Sequence, residues 1–429
     1  MSDEPLDLLG VGIGPFNLSL AALADGADDL RAVFLDGRPG FSWHPGLLMA
    51  DARLQVPFLA DLVSLVDPTS PWTFLAYLRA HERLYAFYFL ERFHVPRREY
   101  DDYCRWVAES LPSCCFGQPV RSIDWEPEAA AFRVEHGEGD AAETTFARNV
   151  VLGVGTEPAV PEAMRPALGE RAIHAADYLA HRERLLELRH VTVIGSGQSG
   201  AEVVLDLLRA RGDGHRVRWL TRSPAFAPME YSKLGLEHFT PDYTRYFREL
   251  PRARRDELVA AQWQLYKAIS ADTIAAIFEL LYERTVGGGQ APAELTANVA
   301  VEAAHAGAGG LELDCREVVQ DRTFSLRTDA AVLATGYTAR RPPLAEGLRA
   351  LIATNGDGRL PVDGGYRVAL DPSVTGGLYV QNAELHTHGV GTPDLGLGAH
   401  RAATILNAVT GRTVQHLPES VAFTSFGAP

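Results

Sequence analysis

The sequence predicts an α/β fold of two Rossmann-like dinucleotide-binding domains with a smaller helical region, and three observations carry that prediction. A glycine fingerprint, Gly12-x-Gly14-Pro15-Phe16-Asn17, follows an apolar strand near the N-terminus. A second, Gly195-x-Gly197-Gln198-Ser199-Gly200, follows another strand in mid-chain. Between about 236 and 287 the residues become charged and aromatic at helical spacing. One short glycine pattern arises by chance. Two, each between a strand and a helix, point to an enzyme holding two dinucleotides.

In the first unit, Leu6–Val11 reads as a buried strand and Asn17–Leu23 opens an amphipathic helix. Gly12 permits the tight turn, Gly14 lets the backbone approach a pyrophosphate, and the helix N-terminus supplies amide donors. Asn17 stands where the pattern has its third glycine. The next strand, Ala32–Leu35, ends in Asp36, an acidic residue suited to a ribose 2′-hydroxyl, as for the unphosphorylated adenosine of FAD.

The second unit repeats the design with one change. Strand Val191–Ile194 leads into the fingerprint and helix Ala201–Leu208, and strand Val217–Leu220 leads to Thr221-Arg222-Ser223. Arg222 takes the place that Asp36 holds in the first unit. A guanidinium grips a 2′-phosphate that a carboxylate would repel, so this site is predicted to prefer NADPH.

Two apolar runs ending in glycine and threonine, Val150–Thr156 and Ala331–Tyr337, flank the second unit and mark the exit from the first and the return to it. The expected division is an FAD domain at 1–165 and 337–429, an NADPH domain at 166–235 and 288–336, and a helical substrate-binding insert at 236–287. Gly287–Gly289 and Ala303–Gly310 read as loops.

The 429 residues allow two or three domains with ample cores. No apolar run approaches the ~20 residues of a membrane span. The opening Met-Ser-Asp-Glu-Pro is unlike a signal peptide, so a cytoplasmic enzyme is expected. A net charge of −15 disfavours nucleic acid as a partner. Cys104, Cys114, Cys115 and Cys315 form no C-x-x-C pair. That weighs against a disulfide scaffold, a zinc ribbon and a flavin disulfide reductase, and no metal is expected.

Asp7–Ser19, Phe41-Ser-Trp43-His44-Pro-Gly46, Leu54–Leu59, Asp61–Val63, Pro68–Pro71, Gly195–Gly200 and Ala334–Tyr337 together resemble the microbial flavin-dependent N-hydroxylating monooxygenases. That family includes the lysine, ornithine and diamine N-hydroxylases of hydroxamate siderophore pathways. The resemblance implies FAD, NADPH and O₂ as cofactors, a homodimer or homotetramer, and Gln55 with Trp43 and His44 beside the flavin. It also implies nucleotide contacts from Ser223, Thr335, Gly336, Tyr337 and Leu395. The chemistry that resemblance implies is that NADPH would reduce the flavin, O₂ would add at its C4a position, and a primary amine would attack the distal peroxide oxygen. The amine must be neutral, and a desolvated pocket lowers the alkylammonium value of about 10.4. His44, His386 and His388 read as hydrogen-bonded structural or flavin-adjacent groups.

Amino-acid hydroxylases of this group resemble one another in a lysine after a Phe-Leu pair, expected to hold the substrate α-carboxylate. This chain has Phe58-Leu59-Ala60. Ala60 leaves a carboxylate unpaired, at a cost of several kcal/mol when buried, roughly, and spares a second ammonium the repulsion of a lysine. A diamine is therefore expected, cadaverine ahead of putrescine, with Glu384 as a candidate acceptor of the distal ammonium. Lysine N6-hydroxylation is the alternative, with Lys267 able to supply a carboxylate partner. A non-catalytic nucleotide sensor and a carbonyl-oxygenating flavoenzyme share the two fingerprints and differ in the products formed from amines.

Overall fold

Short apolar runs make a first sheet of five parallel strands, which from edge to edge are Gly377–Val380, Asn149–Leu152, Leu8–Val11, Ala32–Asp36 and Cys114–Phe116. Leu8–Val11, in the centre, is buried at every residue, as a parallel strand covered on both faces must be. Helix Pro15–Ala24 buries nearly all its residues, and helix Gly398–Thr410 packs against it. The computed structural model describes residues 4–210, 212, 214–307, 309–353 and 358–428.

A second parallel sheet runs Ala293–Thr296, Arg216–Leu220, His190–Ile194, Ala330–Leu333 and Ala172–His174. Helix Gln198–Ala210 covers it with Ala201, Val203, Val204, Leu207 and Leu208. Each sheet carries a three-stranded antiparallel annex: Val120–Glu126, Ala131–His136 and Glu143–Ala147 in the first unit, Val299–Gly307, Gly310–Glu317 and Arg322–Thr328 in the second. The two chain crossings between the sheets pair with each other, Thr156–Pro158 antiparallel to Tyr337–Ala339.

Two expectations about local structure change. Ala303–Gly310 is not a loop: Ala303 pairs with Asp314 and Gly307 with Gly310 in a hairpin, with residue 308 outside the described set. Its small residues suffice because Leu311, Leu313 and Cys315 of the partner strand supply the buried side chains. The segment read as one helical insert also packs in two directions. Helix Pro241–Glu249 buries Tyr243 and Phe247 in a small core with Leu265 and Val390. Helix Ala271–Thr285 instead sets Ile277 against the helix of the second fingerprint. Gly287 and Gly288 form a turn at positive φ, as the glycine run suggests.

Candidate active site

The first fingerprint combines a tight turn, open space and an uncapped helix start. Gly12 has φ of 86°, and a Cβ there would stand 2.5 Å from the Gly153 carbonyl oxygen. A Cβ on Gly14 would meet nothing within 4 Å, so open space lies over the glycine that a pyrophosphate would approach. Gly14 begins helix Pro15–Ala24 with no side-chain cap, leaving its first amides free for a ligand. Phe16 packs under the Arg401 guanidinium, 4.7 Å from ring centre.

Asn17 is fully buried, and its amide is spent on the protein itself. Nδ2 donates to the carbonyls of Gly12 (2.8 Å) and Val11 (3.2 Å), and Oδ1 accepts from Gln381 Nε2 at 2.7 Å. Asp36 is likewise engaged: it accepts from the Ile13 amide at 2.8 Å and from Arg38 Nη2 at 2.7 Å. Burial alone would raise the Asp36 carboxyl, but Arg38 and the amides of Ile13 and Arg38 outweigh it and hold it below the usual range. Arg38 also donates to the carbonyls of Ile13 and Ser42. The expected ribose acceptor thus comes with an arginine laid across it, a partner visible in the sequence only as a basic residue two places on.

In the second fingerprint Gly195 has φ of 115°, and a Cβ on Gly200 would lie 2.3 Å from the Gly195 carbonyl oxygen. Ser196 and Thr221 share a hydroxyl hydrogen bond of 2.7 Å, and Thr221 Oγ1 accepts from the Ser223 amide at 3.1 Å. Arg222 is exposed and has no ion-pair partner among the described residues, as a residue awaiting a phosphate would be. Ser199 is half-buried in the first helical turn, and Gln198 is held by the Ser270 amide at 2.8 Å and by Glu202 at 3.0 Å.

Between the two fingerprints the chain gathers a cluster that sequence reasoning reached only in part. Gln55 is half-buried, its side chain donating to the Arg53 carbonyl at 3.2 Å. Its own carbonyl accepts from the Tyr231 hydroxyl at 2.8 Å, and that hydroxyl meets His94 Nε2 at 2.9 Å. Ala60 is buried and faces the one-turn helix Leu395–Leu397, with its methyl 4.0 Å from where a Cβ on Gly396 would be. Trp43, His44 and Tyr337 form a chain of edge-on rings that continues to His174, with His44 to Tyr337 at 5.4 Å. Burial, then the Arg97 charge, pushes the His44 imidazole down to about 4, so it is neutral at working pH. The buried Tyr337 hydroxyl has no hydrogen-bond partner among the described residues. Thr335 donates to the Ala159 carbonyl at 2.6 Å and the Gly336 carbonyl meets His174 at 3.1 Å, so both fasten the crossing.

Arg97 joins the units. It forms a buried, two-pronged ion pair with Glu202 at 2.8 and 2.9 Å and donates to the Leu47 carbonyl at 2.9 Å. No sequence signal announced it, because the partners are remote in the chain and neither belongs to a motif.

Two predicted substrate residues lie elsewhere. Glu384 is fully buried and its carboxylate pairs with Arg401 at 3.0 Å, so it cannot serve as a free acceptor for an ammonium. Lys267 sets its backbone carbonyl against Gly197 and is exposed, its ammonium 5.0 Å over the Tyr266 ring. Its backbone thus lies against the second fingerprint. His386 and His388 are structural, one bonded to the Leu360 carbonyl at 2.9 Å and the other stacked on Tyr366 at 4.4 Å. All four cysteines are free thiols, and no cluster of metal ligands occurs among the described residues. No helix there is long and apolar enough to cross a membrane.

Residues 4–339 match the model of the L-lysine 6-monooxygenase/L-ornithine 5-monooxygenase family. The rhizobactin siderophore biosynthesis protein of Rhizobium meliloti is 44% identical over 432 residues, 99% of this chain and 95% of that one. A putrescine N-hydroxylase of Shewanella oneidensis is 40% identical, across 98% of this chain and 84% of its own. Among solved structures, the FAD-bound cadaverine monooxygenase of the desferrioxamine pathway in Erwinia amylovora superposes with a TM-score of 0.95 at 39% identity, covering 100% of this chain and 99% of that one.

Proposed function

We infer the reaction from one premise: this chain belongs to the L-lysine 6-monooxygenase/L-ornithine 5-monooxygenase family. It is an FAD- and NADPH-dependent N-monooxygenase of amines that uses O₂. Bound FAD, once reduced by NADPH, supplies the activated oxygen. The protein's own residues bind, orient and exclude water. Gly12, Gly14 and the uncapped helix at Pro15 hold the FAD pyrophosphate; Arg222, Ser223 and the second fingerprint hold NADPH. We assign Gln55, Trp43, His44, Tyr337 and Leu395 to the flavin's surroundings. Neutral His44 adds no charge there, and the buried rings around it keep water out, which favours the neutral amine.

The substrate we assign is a primary aliphatic diamine, cadaverine ahead of putrescine, with the N-hydroxydiamine feeding hydroxamate siderophore assembly. Ala60 carries this reading: where the resemblance expects a lysine for an α-carboxylate, this chain has a buried methyl. The test compares amine-dependent NADPH oxidation and hydroxylamine formation for cadaverine, putrescine, lysine and ornithine. Product from lysine alone would sink the diamine reading. Ala60→Lys should weaken diamine turnover about tenfold or more, as expected of a like charge in a partly desolvated site; an unchanged rate would remove position 60 from the pocket.

We place the enzyme in the cytoplasm, where NADPH is made, and propose that copies associate through one face. Helix Leu84–Leu90 is apolar almost throughout yet buries none of its residues. Tyr85, Tyr88 and Phe89 are 80%, 72% and 74% exposed, together roughly 400 Å² at ~200 Å² per side chain, within the range that marks a contact surface. Light scattering on wild type and on Tyr88→Asp decides: a dimer or tetramer dissociated by the substitution is expected, and a monomeric wild type overturns it.

A further inference from the structure

Glu384 is spoken for, so a diamine's second ammonium needs another partner, and the loop before helix Gly398–Thr410 offers one. Asp394 is half-buried at the start of the turn Leu395–Leu397, where its Oδ1 accepts from the Gly396 amide at 2.7 Å. An ideal Cβ on Gly396 would be 2.7 Å from that carboxylate oxygen and 4.0 Å from the Ala60 methyl. The carboxylate and the Ala60 methyl therefore lie against the same residue, Gly396. Tyr231, which donates to the Gln55 carbonyl, feels the Asp394 charge there. Gly398 closes the same loop onto Phe16 of the FAD fingerprint, a Cβ there standing 3.4 Å from the ring.

Asp394 forms no ion pair among the described residues. Arg401, the arginine it feels, is committed to Glu384 at 3.0 Å and to the Thr392 carbonyl at 2.7 Å. Burial raises the Asp394 carboxyl to about 6 against the pull of the Gly396 and Leu397 amides and of Arg401. Its turn-capping bond does not require the charge, because Asn or Ser caps as well as Asp. A partly buried carboxylate without a cation is unfavourable unless one arrives.

We propose that Asp394 receives the non-reacting ammonium of the diamine, opposite the amine presented for hydroxylation. This rests on the diamine reading. Together Asp394 and Ala60 discriminate in two ways: the carboxylate attracts a second ammonium and repels the α-carboxylate of an amino acid, which Ala60 leaves without a partner. Asp394 is thus a specificity residue that binds substrate.

The test uses FAD-loaded enzyme and steady-state hydroxylamine formation with cadaverine, putrescine and the monoamines pentylamine and butylamine. Asp394→Asn keeps the capping oxygen and removes the charge. The KM for diamines should rise about 10- to 100-fold, the loss expected of one charge-assisted hydrogen bond, with kcat changed far less and the monoamine KM unmoved. A diamine KM within twofold of wild type, or equal losses for diamine and monoamine, overturns the assignment. Wild-type enzyme supplies a check that needs no variant: pentylamine should show a KM at least about tenfold above cadaverine, and equal values overturn it. Wild type that hydroxylates lysine but no diamine removes the substrate reading and this proposal with it. Diamine turnover with an unmoved KM in Asp394→Asn removes Asp394 alone.

Discussion

The two fingerprints solve one packing problem in opposite ways. In each, the first glycine donates to the end of the neighbouring strand, Gly12 to Leu35 at 2.7 Å and Gly195 to Leu220 at 2.8 Å. In each, the residue that leaves the other flanking strand donates back, Gly153 to Val11 at 2.9 Å and Ala334 to Ile194 at 2.8 Å. The second unit places glycine on its helix, Gly200, facing Ala334, whose methyl is 3.2 Å from the ideal Cβ position. The first places Asn17 on the helix and glycine on the strand, where a Cβ on Gly153 would lie 2.4 Å from the Asn17 amide. The third glycine of the motif is thus a requirement for room between helix and strand, and either element can supply it. The seventh residue beyond each first glycine also differs. Ser19 donates to the Leu62 carbonyl within its own unit, whereas Glu202 reaches across to Arg97.

Cutting the tether should have the largest effect. Arg97→Ala leaves Glu202 buried and unpaired and should cost about 3–5 kcal/mol, against about 1 kcal/mol for Ser19→Ala. Equal shifts in denaturant midpoint would show that the two helix positions are held alike. Next, Gly153→Ala should destabilise by about 1–3 kcal/mol through overpacking, and Asn17→Gly introduced beside it should recover part of that loss. Strict additivity in the double-mutant cycle would refute the exchange of room between helix and strand. Third, Arg222→Ala should raise the KM for NADPH roughly tenfold, as for one lost charge-assisted contact, and leave that for NADH near its original value. A parallel rise for both cofactors would deny Arg222 a role in phosphate recognition.

A last prediction concerns acid. In and around the first unit burial holds His44 and His400 down to about 4 and His388 to about 2. The unfolded chain binds protons at these positions from about pH 6.5 downward and the folded one does not. Their stabilising contribution is therefore complete above about pH 6.5, falls as pH drops toward 4, and falls further for His388 toward 2. Flavin release followed between pH 7 and 4 should track this slope, and a flat thermal midpoint across that interval would contradict it.

The three central strands of each parallel sheet were legible in the sequence as apolar runs bordering glycine turns, whereas the edge strands were not. The Asp36 and Arg222 contrast was legible for the same reason. Pairings between remote segments were not. Glu384 looked available because no lysine or arginine lies within ten positions of it, yet the chain folds back to bring Arg401 to it. Asp394 escaped notice because one acidic residue in a glycine-rich loop resembles an ordinary turn former until Ala60 is seen beside it. Asn17 was legible as a departure from the pattern but not as a packing exchange, since Gly153 is 136 positions away.

The sheet order has a consequence for how the enzyme is made. Every strand of the second parallel sheet lies between residues 172 and 333, whereas the first sheet needs Gly377–Val380 at one edge and helix Gly398–Thr410 as cover. A ribosome therefore delivers the whole second sheet before the first can close, although the first fingerprint emerges before the second. The first sheet's edge strand and covering helix come late in the chain, so a chain released early would keep Gly12 and Gly14 intact and still lack part of the sheet that carries them.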